Sequence, residues 1–209
     1  MASTDYASSV FFNCPFDDRY EELRDAMVFA IYDCGFVPRC ALEEDNGGDV
    51  RFDKIKKLIE DSKFGIHDIS RTELDQIDEN TALPRFNMPL ELGVFIGAKR
   101  FGDARQRSKN LLILDRDPYR YQIFISDIAG QDIRSHGDDA NNLISHVRNW
   151  LNTASGRKTI PGGQEIQRRY REFREQLPHL AAALRLELEE LTYNDYSNIV
   201  SEWLQENAS

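Results

Sequence analysis

The run Asn110-Leu-Leu-Ile-Leu-Asp115 constrains the fold of this chain more than any other stretch. Four consecutive aliphatic residues are too few for a buried helix, and they lack the polar alternation of a half-wet strand. They read as a strand covered on both faces. Three more short apolar runs precede it: Ser9-Val-Phe-Phe-Asn13, Phe36-Val37-Pro38 and Lys63-Phe-Gly-Ile-His-Asp68. Helical patterns separate them. Tyr20, Leu23, Met27 and Ile31 recur at helical spacing, widened by Ala26, Ala30 and Cys34 and closed by Gly35. Phe52, Ile55, Leu58 and Ile59 mark a second helix, and Leu92 to Ala98, without a charge, a third. Strands alternating with helices imply βαβ units, hence a parallel sheet with both faces covered.

Right-handed crossovers then favour an α/β fold with a doubly wound, mostly parallel five-stranded sheet of flavodoxin-like order, over residues 1–155. The fifth strand has two readings: Tyr121-Gln-Ile-Phe-Ile125 is the strand, or it is one helical turn before a short edge strand near Asp132-Ile133. Asn141 to Leu151 is helical, with Leu143, Ile144, Val147, Trp150 and Leu151 on one side. Gly156 to Gly163 reads as a linker. Beyond it, residues 164–209 form a helical C-terminal extension. Ile166, Tyr170, Phe173 and Leu177 lead to an interruption at Pro178. Leu180 to Leu191 follows, and a last helix carries Tyr196, Ile199, Val200, Trp203 and Leu204. Such a piece is too small to hold a core alone, so it should pack on the α/β domain or on a partner chain.

Composition excludes several classes. No apolar run reaches the roughly 20 residues that span a bilayer. The N-terminus has no basic region followed by an apolar one, so a cytoplasmic location is expected. A net charge of −10 argues against a nucleic-acid surface, and the local cluster Arg100, Arg105, Arg107 and Lys109 reads as a solvated loop. Cys14, Cys34 and Cys40 lack CxxC spacing and the histidines lack helical pairing, so neither a disulfide framework nor a metal site is expected.

The chemistry centres on Phe86-Asn-Met-Pro-Leu-Glu-Leu-Gly93. Pro89 suits the first helical position, which places Met88 at the cap and Glu91 at the third residue. One reading makes Glu91 a capping group for its own helix. The other makes it a carboxylate, kept ionised by the helix N-terminus, that acts as nucleophile or counter-charge to an oxocarbenium ion. Ligands of open α/β sheets sit beyond the carboxyl ends of the strands. Asp68 ends a strand at that edge, so Asp68 and Glu91 are the candidate catalytic pair, Asp68 orienting sugar hydroxyls. Asn13, Pro15, Phe16 and Arg19, in the loop after the first strand, are candidates for phosphate, ribose or base. Ser70, Asn87, Met88 and Asp127 complete the candidate substrate-binding set at this edge. Cys14 sits beside a helix start that would stabilise a thiolate, but no histidine is adjacent in sequence.

A strand ending Val10-Phe-Phe-Asn13 leads to a Pro/Asp loop and an amphipathic helix. Asp68 closes a later strand, the Leu-Glu-Leu-Gly helix opens with Glu91, and the strand Lys109 to Leu114 follows. This order, over about residues 8–152, resembles the nucleoside deoxyribosyltransferase-like proteins and their relatives, the Toll/interleukin-1 receptor (TIR) domains. The resemblance implies a flavodoxin-like fold and cleavage of an N-glycosidic bond. It implies a nucleotide substrate, NAD the first candidate, and no metal or redox cofactor. The catalytic glutamate of those proteins matches Glu91. The resemblance also makes antiphage defence conceivable, since bacterial TIR-like proteins often serve there. A homo-oligomer is expected as well. The alternative of a different class is a catalytically silent module that senses a nucleotide or assembles through TIR-like contacts. A third is an adaptor whose contact surface is Tyr170, Phe173, Trp203 and Leu204.

Overall fold

The computed structural model describes residues 5–44, 46–72 and 86–208. Most of the polar stretch between Ser70 and Arg85 lies outside them. Among the described residues five strands form one sheet: β1 (Ser9–Asn13), β2 (Val37–Arg39), β3 (Phe64–Asp68), β4 (Asn110–Asp115) and β5 (Ile133–Ser135). Every pair is parallel and the order is β2-β1-β3-β4-β5, the doubly wound flavodoxin-like arrangement. The ambiguity over the last strand resolves in favour of the second reading. Arg120–Ile123 forms a 3-10 turn, and the edge strand is Ile133–Ser135.

The helices are α1 (Glu21–Asp33), α2 (Arg51–Glu60), α3 (Asn87–Phe101), α4 (Ala104–Arg107), α5 (Ala140–Ser155), α6 (Gly163–Ala183) and α7 (Tyr193–Glu206). The period-two alternation of a strand assigns side chains to layers. Val10 and Phe12 enter the core shared with α1 and α5, whereas Phe11 joins Ile55, Leu58, Ile59 and Phe95 of α2 and α3. In β4, Leu112 and Leu114 take the first side, and Ile113 packs with Met88 and Leu92 on the other. In β3, a Cβ on Gly65 would lie 2.6 Å from the Phe95 ring. Bare backbone at this position lets α3 seat closely on β3, which sets the height of Glu91, one turn before Phe95.

The C-terminal helices build onto α1. Phe29 lies 5.4 Å, centroid to centroid, from both Tyr170 and Phe173 and 5.9 Å from Trp203. Polar ties at the rim join Arg174 to Asp25 at 2.9 Å and Arg169 to Asp33 at 2.9 Å. Contrary to expectation, α6 runs through Pro178. Leu177 and Ala181 are buried one turn apart, so anchors on both sides of the ring hold the helix, and Pro178 itself is exposed. The basic cluster also needs correction at Lys109, which is buried rather than solvated. Its Nζ donates to Ile59 O at 2.5 Å and to Ser62 O, and sits 4.9 Å from the Phe95 ring centroid. Burial there pulls its pKa down to about 8. Among the described residues no helix is long and apolar enough to cross a membrane.

Candidate active site

In the 2-1-3-4-5 order the connections leaving β1 and β3 lie on opposite faces, which opens a crevice at their carboxyl ends. A cavity of about 420 Å³ occupies that position. Its lining comes from three places: Asn13, Cys14, Pro15 and Phe16 at the end of β1, Arg51 at the start of α2, and Asn87, Met88 and Glu91 of α3. Glu91 therefore shares one cavity with five of the candidate substrate-binding residues. Asn13 ties the walls together, its Nδ2 donating to Met88 O at 2.9 Å and lying 3.5 Å from His67 Nδ1.

Glu91 does not cap its helix. α3 starts at Asn87, with Phe86 in the cap position, so Pro89 is the third helical residue and Glu91 the fifth. Proline is accommodated there because the first N–H groups of a helix have no intrahelical acceptor to lose. The first turn holds no acidic residue, and among the described residues the Glu91 carboxyl makes no hydrogen bond or ion pair.

The expected ionised state is corrected too. Burial pushes the Glu91 pKa up to about 7, against a downward pull from the Arg51 guanidinium. The helix dipole acts mainly on the first turn, and Glu91 lies beyond it, so desolvation prevails. Near neutral pH the carboxyl is populated in both forms, as a proton donor and as an anion. Cys14 is no thiolate. Burial, then the charge of Asp68, holds its pKa well above the usual thiol value.

Asp68 is not in this cavity, and parity explains why. Phe64, Ile66 and Asp68 point to the α1 side of β3, while Gly65 and His67 point to α3. Asp68 and Glu91 thus lie on opposite faces of the sheet. Asp68 is fully buried and its oxygens are occupied. Tyr20 Oη donates to Oδ2 at 2.5 Å, Ser70 N donates to Oδ1 at 2.9 Å, and the Ser70 hydroxyl donates to Oδ1 as well. His136 Nε2 lies 3.1 Å from Oδ2 and 2.9 Å from Ser70 Oγ. His136 Nδ1 accepts the Asp138 N–H at 3.0 Å, so the neutral ring carries its proton on Nε2. Burial opposes charge on both partners, yet their mutual attraction wins: the Asp68 pKa is lowered and that of His136 raised. Ser70 belongs to this buried cluster, which locks the ends of β3 and β5 to the start of α1.

Arg19 and Asp127 stand apart from the cavity lining, exposed on the 3-10 turns Asp18–Tyr20 and Ser126–Ile128. Arg51 is the residue that the sequence reading missed. The signal existed: β2 and β3 are followed by helices on one face, so their first residues meet at the same edge. Behind the cavity His67 is buried between Phe11 and Phe95, and burial, with the charge of Lys109, takes its pKa down to about 3. Among the described residues no group of His, Cys, Asp and Glu is arranged to hold a metal ion. Compared with protein-family models and with curated proteins, the chain matches none.

Proposed function

We propose that the protein is an N-glycosidase that cleaves the bond between base and ribose of a nucleotide, with NAD the first candidate substrate. The observation that carries this reading is the Glu91 carboxyl, without a hydrogen bond or ion pair among the described residues, on the wall of the 420 Å³ cavity at the switch point. A cavity of this size suits a ribosyl group with its base. Asn13, with Nδ2 engaged on Met88 O, keeps Oδ1 to accept from a ribose hydroxyl. Phe16, on the cavity wall, offers a face for the base.

As the bond from C1′ to the base nitrogen breaks, its electron pair leaves with the base. A pyridinium base departs neutral without a proton, and the Glu91 carboxylate faces the ribosyl cation. A neutral purine or pyrimidine departs better when protonated, and the raised pKa of Glu91, about 7, supplies that proton at neutral pH. Water then adds to C1′ and loses its proton to Glu91 or solvent. The likeness to TIR-like and deoxyribosyltransferase-like proteins supports the same assignment of Glu91. Asp68 takes no part, because its oxygens are filled.

The test is release of free base from NAD and from a panel of nucleosides and nucleotides, separated by chromatography. Release by the wild-type chain that disappears in folded Glu91→Gln is expected. Saturable nucleotide binding without release would replace this reading with that of a sensing module.

A further inference from the structure

We infer that Arg51 determines specificity in the cavity: its guanidinium takes the phosphate on the ribose, so the enzyme reads phosphorylated nucleosides in preference to free ones. The inference rests on the glycosidase reading of the same cavity. Arg51 is the one cation among the described lining residues, and it stands as the first residue of the ten-residue α2. Its side chain forms no ion pair with any described residue, although carboxylates outnumber cations in a chain of net charge −10. Glu91 shares the cavity yet lies too far away to pair with it. On this reading the ribose carries its anomeric carbon to Glu91 and its phosphate to Arg51, the two charged groups of the one cavity.

Backbone geometry agrees. Val50 O receives the N–H groups of Asp53 and Lys54, and the first two N–H groups of α2, those of Arg51 and Phe52, precede any intrahelical acceptor. Positive potential from that helix end adds to the guanidinium. Guanidinium geometry suits a phosphate, which accepts two parallel hydrogen bonds from it. Arg19, the phosphate candidate on sequence, lies outside the lining. Cys14, the remaining ionisable group there, is a neutral thiol and does not compete for an anion.

The experiment compares nicotinamide mononucleotide with nicotinamide riboside, which differ by one phosphate, on wild-type, Arg51→Ala and Arg51→Lys proteins. The ratio of the two kcat/KM values should fall by about 10- to 100-fold in Arg51→Ala and be partly restored in Arg51→Lys. An unchanged ratio overturns the inference. A parallel binding arm uses calorimetry on Glu91→Gln protein with AMP and adenosine, with and without Arg51→Ala. If the wild-type chain releases no base, the glycosidase reading fails. Tighter AMP binding that depends on Arg51 would then still sustain the phosphate site. Equal affinity for AMP and adenosine, or no binding of either, overturns it. Circular dichroism of each variant guards against misfolding, and the exposed position of Arg51 makes a fold defect unexpected.

Discussion

Replacing Glu91 by Gln should stabilise the fold while abolishing base release, and the stabilisation should depend on pH. An unfolded glutamate loses its proton near the ordinary value of 4.5, whereas burial keeps the native one protonated to about 7. Between those values the native state binds more protons than the unfolded state, so wild-type stability falls as pH rises through this window. Each pKa unit corresponds to about 1.4 kcal/mol. With a discount for the partial solvent access of Glu91, the ionisation penalty at pH 8 comes to about 2–3 kcal/mol. A glutamine of the same shape carries no such penalty. For a chain of this size that difference corresponds to roughly 5–10 °C in Tm. Thermal unfolding followed by circular dichroism at pH 5 and pH 8 would read it. At pH 5 the native glutamate is still protonated while its unfolded counterpart is largely ionised, so less than about 1 kcal/mol of the penalty is expressed and the curves should lie much closer together. At pH 8 the Glu91→Gln protein should melt higher. Equal differences at both pH values, or a less stable variant at pH 8, would refute the reasoning. A carboxylate kept at a cost to stability is what a functional group shows and a helix cap does not.

Three further outcomes follow. Asp68→Ala leaves His136, Ser70 and Tyr20 without their shared acceptor inside the core, and should lose about 3–5 kcal/mol in urea unfolding. Its pH dependence has a definite sign. His136 keeps a raised pKa in the wild-type fold, so that contribution is present below the ordinary histidine value and fades as pH rises past the folded one. Gly65→Ala drives a methyl into the Phe95 ring and should lose about 1–3 kcal/mol in the same assay, with a drop in turnover as α3 and Glu91 shift. Phe173→Ala removes the ring between Phe29, Tyr196 and Trp203 and should lose about 3–5 kcal/mol; a loss near zero would mean that the C-terminal helices stand off the domain.

Much of this architecture is legible in the sequence because sheet strands buried on both faces are almost wholly apolar. The limits Ser9–Asn13 and Asn110–Asp115 appear in the bare sequence as they do in the structure. So does Gly35, whose φ of +79° closes the turn after α1. The place of Glu91 at the carboxyl edge was legible as well. What escaped depends on relations between elements. The partnership of Asp68 with Glu91 failed on strand parity, which separates two residues that share an edge but not a face. Arg51 was hidden because a lone charge at a helix start gains meaning only once a neighbouring helix stands beside it. Lys109 resembles its exposed neighbours in sequence, and only the α2 carbonyl of Ile59 and the Ser62 carbonyl just beyond that helix explain its burial. Pro89 misled by two residues, since an imino acid fits any of the first helical positions.

The most direct measurement is a crystal structure of the Glu91→Gln protein soaked with NAD. Density for the ligand should fill the space between α2 and α3, with the anomeric carbon of a ribose against the side chain at position 91 and a phosphate on Arg51. An empty cavity, or a ligand whose ribose lies elsewhere on the surface, would contradict the assignment of this crevice as a glycosidase site.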